Sequence, residues 1–135
     1  KGSVYKKGPD WVTGAFMIIP KDVFESVGGF DEKIFMYTEE MELAYRISKL
    51  GKRVIYDPSE QIIHRGGASG GNYLAITSEV KNIIYFWHKH KPAWQLPIAK
   101  IFFVVGSLLR LLFFGIIRQN ESSRKAYFEC IKLSL

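Results

Sequence analysis

Tyr37-Thr38-Glu39-Glu40-Met41-Glu42-Leu43-Ala44-Tyr45-Arg46 is the stretch on which the reading of this 135-residue chain turns. Thr38 stands where a helix N-cap is favoured, and Gly51 where a left-handed residue closes a helix, so a helix is predicted between them, running to Leu50. Glu39 and Glu40 then fall in its first turn, where the helix dipole favours carboxylates by about 0.3 to 1 kcal/mol. Leu43, Ile47 and Leu50 recur at helical spacing and form the expected buried face. Glu42 and Arg46, four apart, are placed to pair on the other side.

Upstream, the polar residues Lys1 to Trp11 lead into the apolar run Val12 to Ile19, which reads as a buried strand. Pro20 suits the first turn of a short helix over Lys21 to Val27, and Gly28-Gly29 ends it by accepting a left-handed backbone. Phe30 to Tyr37 is an aromatic-rich loop. Downstream, Arg53 to Tyr56 reads as a strand, Asp57-Pro58 as a turn and Gln61 to His64 as a second short strand, which opens into the glycine-rich run Arg65 to Gly71. Thr77 is the expected cap of a further helix whose residues Val80, Ile83, Ile84 and Trp87 share one face, with Pro92 stopping it.

The composition, 47% hydrophobic and 24% charged, is that of a globular chain and excludes both a disordered polymer and a disulfide scaffold. Cys130, the single cysteine, has no internal partner, which fits a reducing compartment. The net charge of +6 is unevenly spread. Lys1 to Val80 carries 10 basic and 11 acidic residues, whereas Lys81 to Leu135 carries 9 basic and 2 acidic, a net of +7. The basic excess coincides with the most apolar stretch, which points to an anionic membrane surface rather than to nucleic acid. The sequence opens on Lys1 and shows no signal peptide, so a fragment is expected.

Leu96 to Ile117 is almost wholly apolar and as a helix would reach roughly 33 Å, enough to cross a bilayer. Lys100, Ser107 and Arg110 fall within about 80° of one another at roughly 100° per residue, with Arg118 near the same line. Spanning would hold Arg110 near mid-membrane at a cost of about 2.5 to 3.5 kcal/mol. A helix lying in the interface is therefore preferred, with a spanning helix and a buried core helix as alternatives.

Three features carry chemistry: the acid pair Glu39-Glu40, His64 at a strand end, and the glycines 66, 67, 70 and 71. Singly each has a plain structural explanation. In order, however, they sit among segments that resemble the acceptor-side half of family 2 glycosyltransferases, the inverting GT-A enzymes, and especially bacterial rhamnosyltransferase-like members. Trp11-Val12-Thr13-Gly14-Ala15 is similar to that family's W-x-[ST]-G-A entrance, and Gly28-Gly29-Phe30-Asp31-Glu32 to its G-G-F-D-E turn. Tyr37 to Leu43 with Arg46 resembles the Y-x-E-D-x-[DE]-L-x-x-R helix, and His64 to Ser69 the H-x-G-G-x-S loop.

The resemblance implies an α/β chain, part of a Rossmann-like GT-A fold over residues 1–76, followed by amphipathic and apolar C-terminal helices over 77–135. It implies transfer of a sugar from a nucleoside-diphosphate donor, dTDP-rhamnose being one candidate, to the hydroxyl of a glycan or lipid-linked glycan acceptor in cell-surface polysaccharide synthesis. The implied base is Glu40, with Glu39 as the alternative, because inversion needs a carboxylate opposite the departing diphosphate. Glu replaces the family's more usual Asp at position 40. His64 is the implied ligand of a divalent Mg or Mn ion. No D-x-D motif occurs in the sequence, nor does a nucleotide-binding half, so the chain alone is expected to be inactive. Trp11, Gly14, Ala15 and Asp31 are the implied acceptor contacts, and Arg65 and Ser69 contacts to the diphosphate. The expected location is the cytoplasmic face of the bacterial inner membrane, held peripherally or monotopically, with homo-oligomer formation as one consequence of an exposed sheet edge. The competing reading is a non-catalytic membrane- or partner-binding module that keeps a transferase outline.

Overall fold

The computed structural model describes residues 8–64, 71–114 and 120–135. Five helices occur among them: α1 (Lys21–Ser26), α2 (Glu39–Lys49), α3 (Gly71–His90), α4 (Gln95–Leu112) and α5 (Glu121–Ser134). The chain divides into two compact units, Lys1–His64 and Arg65–Leu135.

No strand is present among the described residues, which overturns the expected α/β, Rossmann-like architecture. The three predicted strands, over 12–19, 53–56 and 61–64, are irregular chain. Their β-branched content is real, but a strand exists only through a ladder of hydrogen bonds to a neighbour. None of the three finds one here. Ile18, Ile55 and Ile63 are 86%, 78% and 94% exposed, which is what apolar side chains do when no paired sheet face covers them.

The first unit is built of turns around α2. Pro20 caps α1, and Gly28 and Gly29 follow with φ of +78° and +71°, the left-handed geometry that glycine takes without strain. Phe24 stacks edge-on against Phe30 at 5.5 Å, and a side chain at Gly29 would press on the Phe24 ring at 3.3 Å. α2 buries Leu43, Ala44 and Ile47 together with Ile34 of the preceding loop. Leu50, expected in that face, is 51% exposed instead, and Glu42 has turned inward. Asp57 accepts from the Ser59 amide (2.9 Å) and hydroxyl (2.7 Å), making the turn its sequence predicts.

In the second unit α5 packs against both α3 and α4, which also touch each other. Its inward residues are Ser123, Ala126, Cys130 and Ser134, all small and all buried, so the helix axes approach closely. Asn72 donates to the Ser123 hydroxyl at 2.6 Å, and Asn120 caps α5 by accepting from the Ser123 amide. Phe114 stacks on Tyr127 at 5.7 Å. Thr77 is no cap: α3 begins six residues earlier, and the Thr77 hydroxyl donates to the Tyr73 carbonyl at 2.8 Å from within the helix.

Candidate functional site

The acid pair opens α2 from an unusual backbone. Tyr37 and Thr38 both have positive φ, 65° and 81°, a region that costs a non-glycine residue about 1 to 3 kcal/mol. Thr38 holds the N-cap position but makes no capping hydrogen bond, and its Oγ1 is buried without a partner. The chain therefore enters α2 by a strained turn, and that turn sets where Glu39 and Glu40 emerge.

The helix that follows is anchored by Arg46. Its Nε donates to both Glu42 carboxylate oxygens, at 3.0 and 2.8 Å, and Nη2 lies 2.7 Å from Glu42 Oε2. Nη1 donates to the Val27 carbonyl and Nη2 to the Gly29 carbonyl, the latter at 2.7 Å. One guanidinium thus ties α2 to the Gly28-Gly29 turn through a fully buried carboxylate. A bidentate pair of this kind fixes position as well as charge.

Glu40 emerges against Gly14. A side chain built on Gly14 would meet the Glu40 Cβ at 3.8 Å, its Cδ at 3.9 Å and Oε2 at 4.0 Å. The carboxylate lies alongside a bare stretch of backbone, with no Cβ to occlude the space beside it. Glu39 differs. Its Oε2 is buried without a hydrogen-bond partner, and desolvation pushes its carboxyl above the ordinary value of 4.5, with the neighbouring Glu40 charge and hydrogen bond adding to the rise and its own amide opposing it. Two adjacent carboxylates have been given unequal surroundings.

Over 92 residues, 65% of the chain, the sequence is 32% identical to the N-acetylglucosaminyl-diphospho-decaprenol L-rhamnosyltransferase of Mycobacterium tuberculosis. It is 42% identical over 55 residues, 41% of the chain, to rhamnosyltransferase WbbL of Escherichia coli K12. It is 40% identical over 58 residues, 43% of the chain, to the O-antigen biosynthesis protein RfbC of Myxococcus xanthus. The chain is glycosyltransferase-like. The match spans 30% of the mycobacterial protein's length, 21% of WbbL and 4% of RfbC. No family model matches, and no solved structure does.

In this glycosyltransferase-like chain the structure brings Gly14 and Glu40 together, with Glu39 beside them and Ala15 half-buried next in the chain. Trp11 is 45% exposed. Asp31 is engaged in its own turn, its Oδ1 accepting from the Lys33 amide at 3.0 Å. His64 is exposed, and no hydrogen bond or ion pair links it to Glu39 or Glu40. Arg65 and Ser69 lie outside the described residues. A divalent cation needs several donors, and among the described residues no group of three His, Cys, Asp or Glu side chains gathers to hold one. The described residues do not by themselves make a metal site.

Two functional features were not read from the sequence. The Glu42–Arg46 pairing was, but not its burial or its grip on Val27 and Gly29. The positive φ at Tyr37 and Thr38 had no signal at all, since neither residue type favours that conformation.

Proposed function

We propose that the chain is the acceptor-side part of an inverting glycosyltransferase, moving a sugar from a nucleoside diphosphate to an acceptor hydroxyl. The observation that carries this reading is the Glu40 carboxylate lying against the Cβ-less backbone of Gly14, in a chain similar over part of its length to named rhamnosyltransferases. The acceptor oxygen attacks the anomeric carbon as the bond to the diphosphate oxygen breaks. The bonding pair leaves with the diphosphate, and the hydroxyl proton passes to Glu40. Attack from the face opposite the leaving group inverts the centre.

Glu40 rather than Glu39 is assigned the base because its carboxylate lies against the open backbone of Gly14, whereas the Glu39 Oε2 is buried. Gly14 and Ala15 admit the acceptor close to the chain, and Trp11 offers an exposed aromatic face to a sugar ring. The mycobacterial relative is named for an acceptor sugar carried on diphospho-decaprenol, which supports a lipid-linked glycan as the acceptor here. His64 is proposed as one donor to a divalent cation in the enzyme that carries this segment.

The test is Glu40→Gln in the enzyme carrying this segment. Transfer is expected to fall by on the order of 10² to 10⁴ while nucleotide-sugar binding is retained. Near-normal turnover removes Glu40 from the mechanism.

A further inference from the structure

The second unit is packed the wrong way round for water. In α4 the buried residue is Ser107, while Ile98, Ile101, Phe102, Val105, Leu109 and Leu112 are between 46% and 73% exposed. At 100° per residue those six lie within about 100° of arc, and Ser107 lies roughly opposite their centre. The polar side of the helix, which carries Lys100 and Ser107, is the side turned toward its neighbours. α4 is long and apolar enough to cross a membrane, with a mean hydropathy of 1.6, yet only 6% of it is buried.

Its neighbours decide the orientation. α5 packs beside α4 and carries on its outward side the ion pairs Lys125–Glu121 (2.7 Å) and Lys132–Glu129 (3.3 Å). α3 likewise exposes Lys81, His88 and Lys89. A spanning α4 would draw these charges into hydrocarbon, whereas an α4 lying flat leaves them in water. At its N-terminal end, Trp87 and Trp94 line an open apolar groove of ≈ 290 Å³ with Ile98 and Phe102, and tryptophan favours the headgroup level. The excess of nine basic over two acidic residues from Lys81 onward completes the match to an anionic surface.

We infer that α4 lies in the plane of an anionic bilayer, its outward face among the acyl chains and α3 and α5 on the aqueous side. The assignment stands independently of the carboxylate chemistry.

The experiment is flotation of the full chain with phosphatidylcholine vesicles containing phosphatidylglycerol. The chain is expected to float, less so with added salt or without phosphatidylglycerol. Phe102→Asp with Leu109→Asp, at exposed positions that leave helical circular dichroism unchanged, is expected to weaken partitioning on the order of 100-fold or more. To separate lying from spanning, Lys91→Cys and Glu121→Cys, flanking α4, are labelled with an impermeant maleimide on sealed vesicles. Cys130 stays silent, being buried with its thiol pushed up to about 11. Both new thiols react from outside if α4 lies flat. Protection of one of them, or a soluble dimer that fails to float and is split by the Asp substitutions, overturns the inference.

Discussion

The two units hold themselves together by opposite means. In Lys1–His64 a short helix is pinned to loops by one arginine, and few of the described apolar residues are buried; in Arg65–Leu135 α5 meets its neighbours on small side chains and α4 turns its large apolar residues outward. The first arrangement places polar groups at fixed points, as chemistry requires. The second places apolar area at a surface, as attachment requires. Position comes from hydrogen bonds in one and from shape in the other.

The contrast breaks most readily at Arg46. Arg46→Ala leaves Glu42 buried and unpaired, and is expected to destabilise the first unit by about 3 to 5 kcal/mol. Urea denaturation followed by Trp11 fluorescence, with Trp87 and Trp94 replaced by Phe, measures it. A loss under about 1 kcal/mol would mean that apolar packing alone carries the unit. Next comes Ala126→Leu, which forces a large side chain into the fully buried face of α5 and should cost about 1 to 3 kcal/mol by thermal denaturation. A neutral outcome would deny that close helix approach holds the second unit.

How much of this was legible follows the same division. The α2 helix, its termination near Gly51, the Gly28-Gly29 turn and the Asp57 turn were readable, because each depends on residues within a few positions. The sheet was not: β-branched runs at 12–19 and 53–56 announce a preference, but only a pairing partner turns preference into a strand. Thr77 failed for a related reason, since a hydroxyl that can cap can equally bond back to the carbonyl four residues earlier. In the site, the acid pair and Gly14 were legible as motif positions. Their contact was not, because it depends on a strained Tyr37-Thr38 turn and on an arginine reaching 17 and 19 residues back along the chain.

A finer effect sharpens the difference between the two acids. Because the folded chain holds the Glu39 carboxyl above 4.5, protonated Glu39 favours folding; that contribution is complete below about pH 4.5 and fades as pH rises through the raised value. Glu39→Gln should therefore raise the melting temperature near neutral pH and give no gain in acid, as a pair of melting curves would reveal. Smallest of all, Lys21→Ala removes an exposed ion pair with Glu25 and should leave the melting temperature unchanged.

The most direct measurement compares kcat for Glu40→Gln and Glu39→Gln side by side, in the enzyme that carries this segment, with saturating donor and acceptor. A fall of at least about 10²-fold at position 40 and of less than about tenfold at position 39 is the predicted result. The reverse order, or equal losses, would contradict the assignment of proton removal to the carboxylate beside Gly14.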